Sequence, residues 1–231
     1  SLKTLLDQAE QFALGTYAPA LLQGANLPEK DRQTLAEQLY QFTGIPADYW
    51  LNANLRLSGP VFAKQLLRSQ DETIGRIDTR YRGPSLDNIA ETSNYDPNVS
   101  AITSAYVAQF HDYLGKTLHF SADQNYRAFS NEVYDWNMSS NSRDRSFNVL
   151  PNLSRVMKMT PTMRVMVIGG VYDLATPYFV AKYEMSHLPV SPKLRDNIRF
   201  YWYDTGHMPY VDELSLKKMH ADLTAFISEK P

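Results

Sequence analysis

The chain has 231 residues, with 23 Lys and Arg against 25 Asp and Glu, a formal net charge of −2, and 43% hydrophobic content. This balance excludes intrinsic disorder and argues against a nucleic-acid footprint or a polybasic membrane patch. The absence of cysteine removes disulfides, thiolate zinc sites, iron–sulfur clusters and thiol catalysis. At roughly 100–200 residues per domain the length fits one large domain or one and a half, enough for a core without covalent staples. Ten glycines in 231 residues is about 4%, below the usual ~7%, and suits helices better than a loop-rich catalytic sheet. The longest apolar-plus-glycine run, Val165–Tyr172, is far short of the ~20 residues of a spanning helix. The opening Ser-Leu-Lys-Thr-Leu-Leu has no Met and no signal-peptide layout, so a processed or truncated chain is expected.

From Ser1 to Met159 the pattern is helical. Leu2, Leu5, Leu6, Ala9, Phe12 and Ala13 share one face, with a stop expected at Gly15. Leu35, Leu39 and Phe42 repeat the spacing up to Gly44-Ile45-Pro46, and Ser58-Gly59-Pro60 opens a helix carrying Phe62, Leu66 and Leu67. Thr73–Arg82 reads as either a short strand or a loop. Asp96-Pro97 places a cap before a first-turn proline and predicts a long helix with Val99, Ile102, Tyr106, Phe110 and Leu114 in a stripe closing at Gly115. Ser139–Arg145 is the most linker-like stretch. From Thr160 the texture changes. Met163–Ile168, followed by Gly169-Gly170, reads as a buried parallel strand, and Thr176-Pro177 opens a helix to about His187. Ile198–Tyr203 reads as a second, aromatic-rich strand, and Glu213–Ile227 as a final helix. The fold class expected is α/β, with a helix-rich region over 1–159 and a βαβα unit over 160–231. Two strands alone leave faces and edges uncovered, so this sheet reads as incomplete.

The chemistry sits at two strand ends. Asp173 follows the first strand in Gly169-Gly170-Val171-Tyr172-Asp173, and His207 follows the second in Asp204-Thr205-Gly206-His207-Met208. Functional groups collect at the carboxyl ends of strands in open α/β sheets, where an acid can hold an imidazole in the tautomer of a general base. Gly206 is expected to let the backbone turn sharply beneath the ring. Asp173 also reads as a turn former or helix cap, and Gly-His after a strand has an equally plain structural reading. The other histidines point to less. His220 is expected at the border or core of the last helix, His187 at a helix end, and His111 and His119 lack metal-ligand spacing. No metal or cofactor is expected. Arg76–Arg80 reads as a buried ion-pair lattice or part of a pocket. Trp50, Trp136 and Trp202 read as core or as cleft-lining aromatics. Asn98, Asn137 and Asn152 match Asn-x-Ser, a pattern too short to carry weight.

Met163–Tyr178 followed by Ile198–Met208 resembles the C-terminal portion of the serine carboxypeptidase family, an α/β-hydrolase branch in which one strand runs into Gly-x-x-Asp and a later one into Gly-His-Met. Upstream, Asp48-Tyr49-Trp50, Asn54-Leu55-Arg56, Gly75-Arg76-Ile77-Asp78-x-Arg80-x-x-Gly83 and Tyr95-Asp96-Pro97 are similar to the helical insertion of bacterial members, so the likeness spans most of the chain. The resemblance implies that Asp173 is the triad acid, His207 the triad base and Met208 a substrate-binding residue. It further implies a peptide substrate, cleavage through an acyl-enzyme, and a periplasmic or secreted parent protein with no nucleic-acid or membrane partner. Pro209-Tyr210-Val211 departs from the family's usual Val-Pro after Met208. The larger departure is the nucleophile. The family's Gly-Glu-Ser-Tyr-Gly elbow, which precedes acid and base in chain order, is absent from these 231 residues. The resemblance implies that the elbow, the oxyanion loop and the early strands lie N-terminal to Ser1. This chain alone is therefore expected to be inactive and to need the missing half of the same protein or, through its exposed sheet, a second copy. An aminopeptidase or esterase of the same fold, or a non-catalytic helical binding module, are the alternative readings.

Overall fold

A computed structural model describes residues 1–120, 127–128, 130–136 and 148–229, and the linker-like Ser139–Arg145 and Asn137 lie outside them. The chain is a mixed α and β protein, rich in helix, that divides into two compact units, Ser1–Pro97 and Asn98–Pro231. This division by proximity falls elsewhere than the change in composition at Thr160.

The first unit opens with α1 (Leu2–Phe12), whose N-cap Ser1 accepts the Thr4 N–H. The expected stop at Gly15 does not occur. Ala13–Tyr17 forms a π turn, and the helix resumes as α2 (Ala18–Leu22), with the Ala18 N–H reaching back to the Ala13 carbonyl. The reason lies at Pro19, which cannot donate to the carbonyl four residues back and would clash with it; the widened turn absorbs the misfit without breaking the helix. α3 (Glu29–Thr43) ends where the sequence indicates, at Gly44 with φ +75°, a left-handed cap that favours glycine. With α4 (Ala47–Asn52) it builds the main core, in which Leu35, Ala36, Leu39, Ile45, Trp50 and Leu55 are buried and Phe12 and Tyr17 pack against them. α5 (Gly59–Gln65) starts at the predicted Ser58 cap. The ambiguous Thr73–Arg82 segment resolves into both of its readings. β1 (Glu72–Ile74) pairs antiparallel with β2 (Arg82–Pro84) around an intervening loop. Within that loop the buried Asp78 carboxylate receives a two-pronged contact from Arg80, at 3.0 and 2.7 Å.

α6 (Pro97–Lys116) begins at the predicted proline and runs one residue past Gly115. Tyr106 and Phe110 of the predicted stripe, and Tyr113 beside them, are among the exposed large side chains. In the second unit, α7 (Leu150–Met159) precedes β3 (Val165–Gly170), which starts two residues later than the sequence indicates. α8 (Tyr178–Ser186) and the short α9 (Pro192–Arg195) lead to β4 (Ile198–Tyr203). β3 and β4 pair in parallel, with Val165 opposite Ile198 and Gly170 opposite Tyr203. One face of this sheet packs on Met157, Met185 and Leu188, where Val165 and Val167 share the cluster with Ile198. The other is approached by α10 (Glu213–Ser228), capped by Asp212. There the Tyr203 hydroxyl donates to Asp222 at 3.0 Å and Arg164 lies 4.6 Å from the Phe226 ring centre. Among the described residues the sheet has no third strand, so both outer edges are open. No helix among them is long and apolar enough to cross a membrane.

Candidate acid–base site

The carboxyl ends of β3 and β4 are drawn together by backbone. Past the strands proper, the Val171 N–H donates to the Tyr203 carbonyl and the Tyr172 N–H to the Thr205 carbonyl, each at 3.0 Å. This approach depends on Gly170, because a Cβ there would collide with the carbonyl oxygens of Thr205 and Gly206. The glycine requirement therefore falls on the opposite strand from the one expected. Gly206 does not adopt positive φ, and its backbone is the surface against which Gly170 must fit.

The turn after β3 points Asp173 inward. Its Oδ1 accepts the N–H groups of Ala175 and Thr176 at 2.7 and 2.9 Å, an Asx-type turn that orients the carboxylate before any partner arrives. Its Oδ2 lies 2.8 Å from Nδ1 of His207. The Asp173 side chain is 3% exposed and that of His207 is 45% exposed. The acid is thus enclosed while the ring reaches solvent. With Nδ1 donating to the carboxylate, the imidazole is fixed in the tautomer that leaves the Nε2 lone pair for a proton. Burial works to raise the Asp173 pKa. The N–H and hydroxyl of Thr176 and the His207 ring favour the anion, and together they hold it below the ordinary carboxylate range. The arrangement can orient an imidazole and stabilise an imidazolium.

Thr176 is the residue that sequence reasoning missed. Read there as a helix opener, it donates its hydroxyl to Asp173 Oδ2 at 2.7 Å, and its oxygen lies 3.0 Å from His207 Nδ1. The hydroxyl therefore closes a three-membered cluster around one carboxylate oxygen. The available signal was Asp and Thr three residues apart just before a helix, the spacing at which an Asx turn returns a side chain to its own carboxylate. Met208 follows the ring half-buried and leads into the turn Pro209–Val211.

The remaining candidates stand apart from this cluster. His187 caps α8, its Nδ1 bonded to the Tyr183 carbonyl at 2.8 Å. His220 is exposed on α10, a correction to the border or core position expected, and Leu216 one turn before it is 40% exposed. Among the described residues no group of His, Asp and Glu could hold a metal. Trp50 is core and Trp202 stacks edge-on against Tyr178 at 5.3 Å, whereas Trp136 is exposed. Asn98 is buried, which removes it as a surface acceptor. Lys64, also buried, donates to the Ser85 hydroxyl and to the Asp87 carbonyl. These contacts tie α5 to the turn that follows β2. No family model, no curated protein and no solved structure matches the chain in comparisons with known proteins.

Proposed function

We propose that Asp173 and His207 are the acid and base of an acyl-transfer hydrolase of the serine carboxypeptidase type, built on an α/β-hydrolase sheet of which this chain holds the last two strands. The observation that carries the reading is the 2.8 Å contact between Asp173 Oδ2 and His207 Nδ1, with the acid enclosed and the ring exposed. In that reaction His207 Nε2 takes the proton of a serine hydroxyl as the serine attacks the scissile carbonyl, and returns it to the leaving amine. Asp173 stays ionised and steadies the imidazolium. Thr176 keeps the Asp173 carboxylate from rotating, and Met208 flanks the substrate. The serine, the oxyanion donors and the remaining strands come from outside these 231 residues, the open sheet edges being where those strands join. In their absence a second copy of the chain pairs at the same edges. The parent protein is exported to the periplasm or secreted.

The test has two arms. A fluorophosphonate probe is expected to label the whole parent protein, to fail on this chain, and to fail on the parent carrying His207→Ala. Labelling of that variant at the wild-type rate would overturn the reading and leave Asp173 and His207 as structural members of a binding module. Light scattering is expected to show this chain as a concentration-dependent dimer, and a monomer at all concentrations would remove the edge-pairing proposal alone.

A further inference from the structure

The first unit contains a cleft of about 380 Å³ that the acid–base site does not involve, and it has the composition of an anion site. Its polar lining is Arg32, Asn54 and Arg56, and no Asp or Glu lines it, although the chain as a whole is net negative. Ala20, Leu21, Leu27 and Leu55 supply the rest of the wall. The volume falls in the range of small-molecule sites, which pair apolar walls with a few placed polar groups.

Asn54 contacts both guanidinium groups. Arg32 Nη1 donates to Asn54 Oδ1 at 2.7 Å and Nη2 to the Leu51 carbonyl at 2.9 Å, while Arg56 Nη1 donates to the Asn54 carbonyl at 3.1 Å. Neither forms an ion pair with a carboxylate among the described residues. A guanidinium carries five N–H donors, so these contacts position each group and leave most of its donors unspent. Two like charges that share Asn54 and have no counter-ion among the described residues repel, and an anion between them would relieve that repulsion.

The backbone that sets this geometry is strained. Asn54 and Leu55 have φ of +54° and +60°. Asparagine tolerates that region and leucine does not. The surroundings impose it on Leu55: its side chain is buried in the core, its N–H donates to the Trp50 carbonyl at 2.7 Å and its carbonyl accepts the Tyr17 hydroxyl at 2.6 Å. An extended chain here would carry the side chains of Asn54 and Arg56 to other positions. The strain thus keeps both arginines at the cleft.

We propose that this cleft binds a small organic carboxylate with an aliphatic body, its carboxylate bridging Arg32 and Arg56 and its hydrocarbon lying against Ala20, Leu21 and Leu27. Charge alone would also suit inorganic phosphate; the apolar wall selects the carboxylate. The proposal is independent of the hydrolase reading, because it concerns other residues and needs no nucleophile.

The probe is hexanoate, titrated into this chain by calorimetry and by amide NMR, with hexylammonium, 1-hexanol and inorganic phosphate as comparisons up to about 10 mM. Hexanoate is expected to bind saturably, with shifts centred on Ala25, Asn54 and Leu55. Phosphate is expected to bind at least about tenfold more weakly, and the other two not to saturate. Arg56→Gln removes an exposed guanidinium and is expected to weaken hexanoate about tenfold at an unchanged unfolding midpoint. Arg32 also ties α3 to α4, so the second variant is Ala25→Phe, which fills the cleft without touching charge and is expected to abolish hexanoate shifts. Absence of saturable hexanoate binding, equal binding of phosphate or hexylammonium, or wild-type affinity in both variants would overturn the proposal.

Discussion

The two units bury apolar surface in different ways. In the first, α3, α4 and the Leu55 turn enclose a core with an aromatic anchor, Trp50, whose indole N–H is satisfied by the Thr43 hydroxyl at 3.2 Å. In the second, the buried Met157, Met185 and Leu188 support one face of a two-stranded parallel sheet, and Ile168 and Phe200 remain more than a third exposed. A local helical core closes on itself, whereas parallel strands need neighbours on both edges before their apolar residues are covered. The difference teaches where each unit's stability resides: in side-chain packing for the first, in backbone fit between strand ends for the second.

The largest expected effect tests the first half of that contrast. Trp50→Ala should cost about 3–5 kcal/mol, read by urea denaturation, and should move only the later of two unfolding steps. A single step shifted as a whole would break the comparison. Next comes Gly170→Ala, expected to cost about 1–3 kcal/mol and to separate Asp173 from His207, because the obstacle is backbone carbonyl. Gly169→Ala should cost less. Its Cβ would meet the edge of the Trp202 ring at 2.8 Å, and a side chain can yield where a backbone does not. Equal costs at 169 and 170 would show that the strand ends are not tightly fitted. Acid should act through Asp173. Its folded pKa is depressed, so the unfolded carboxyl binds protons first, near pH 3.9. The stability it contributes is complete above that value and is lost as pH falls through the folded pKa. Stability measured at pH 6 and at pH 3 should therefore differ more in the wild type than in Asp173→Asn. The smallest effect is at Thr176→Val, about 1 kcal/mol, with Thr176→Ser restoring the wild-type value. Failure of serine to restore it would assign the loss to the methyl and not to the hydroxyl.

Features fixed by short-range chemistry were legible in the sequence. β4 has the predicted bounds because its aromatic run has no competing period, and Gly44 ends α3 because nothing else nearby takes positive φ cheaply. Asp173 and His207 could be named from their places after two strands. What decides the site beyond them was not legible. The contact of the Thr176 hydroxyl with His207 and the fit of Gly170 against Thr205 and Gly206 act across 31 and more residues of chain, and neither leaves a periodic trace. The aromatic stripe of α6 shows the converse: spacing identifies a face without naming what covers it. The pairing of β1 with β2 was equally hidden, since three residues a side are too few to show alternation.

The π turn at Ala13–Tyr17 has a consequence for insertion and deletion. Phe12 and Tyr17 are five residues apart, about 140° out of phase on a regular helix, yet their rings stack at 6.2 Å and Phe12 also stacks on Phe42 at 4.8 Å. The widened turn is one residue inserted into the helical count, and it brings both rings round to the same side. Deleting Gly15 would leave Phe12 and Tyr17 four residues apart, about 40° out of phase on a regular helix, so both rings keep one side while Pro19 loses the widened turn that accommodates it. Exchanging Gly15 for alanine leaves the count intact and meets no atom within 4 Å. At this position the extra residue serves the proline, and the two rings keep their side with or without it.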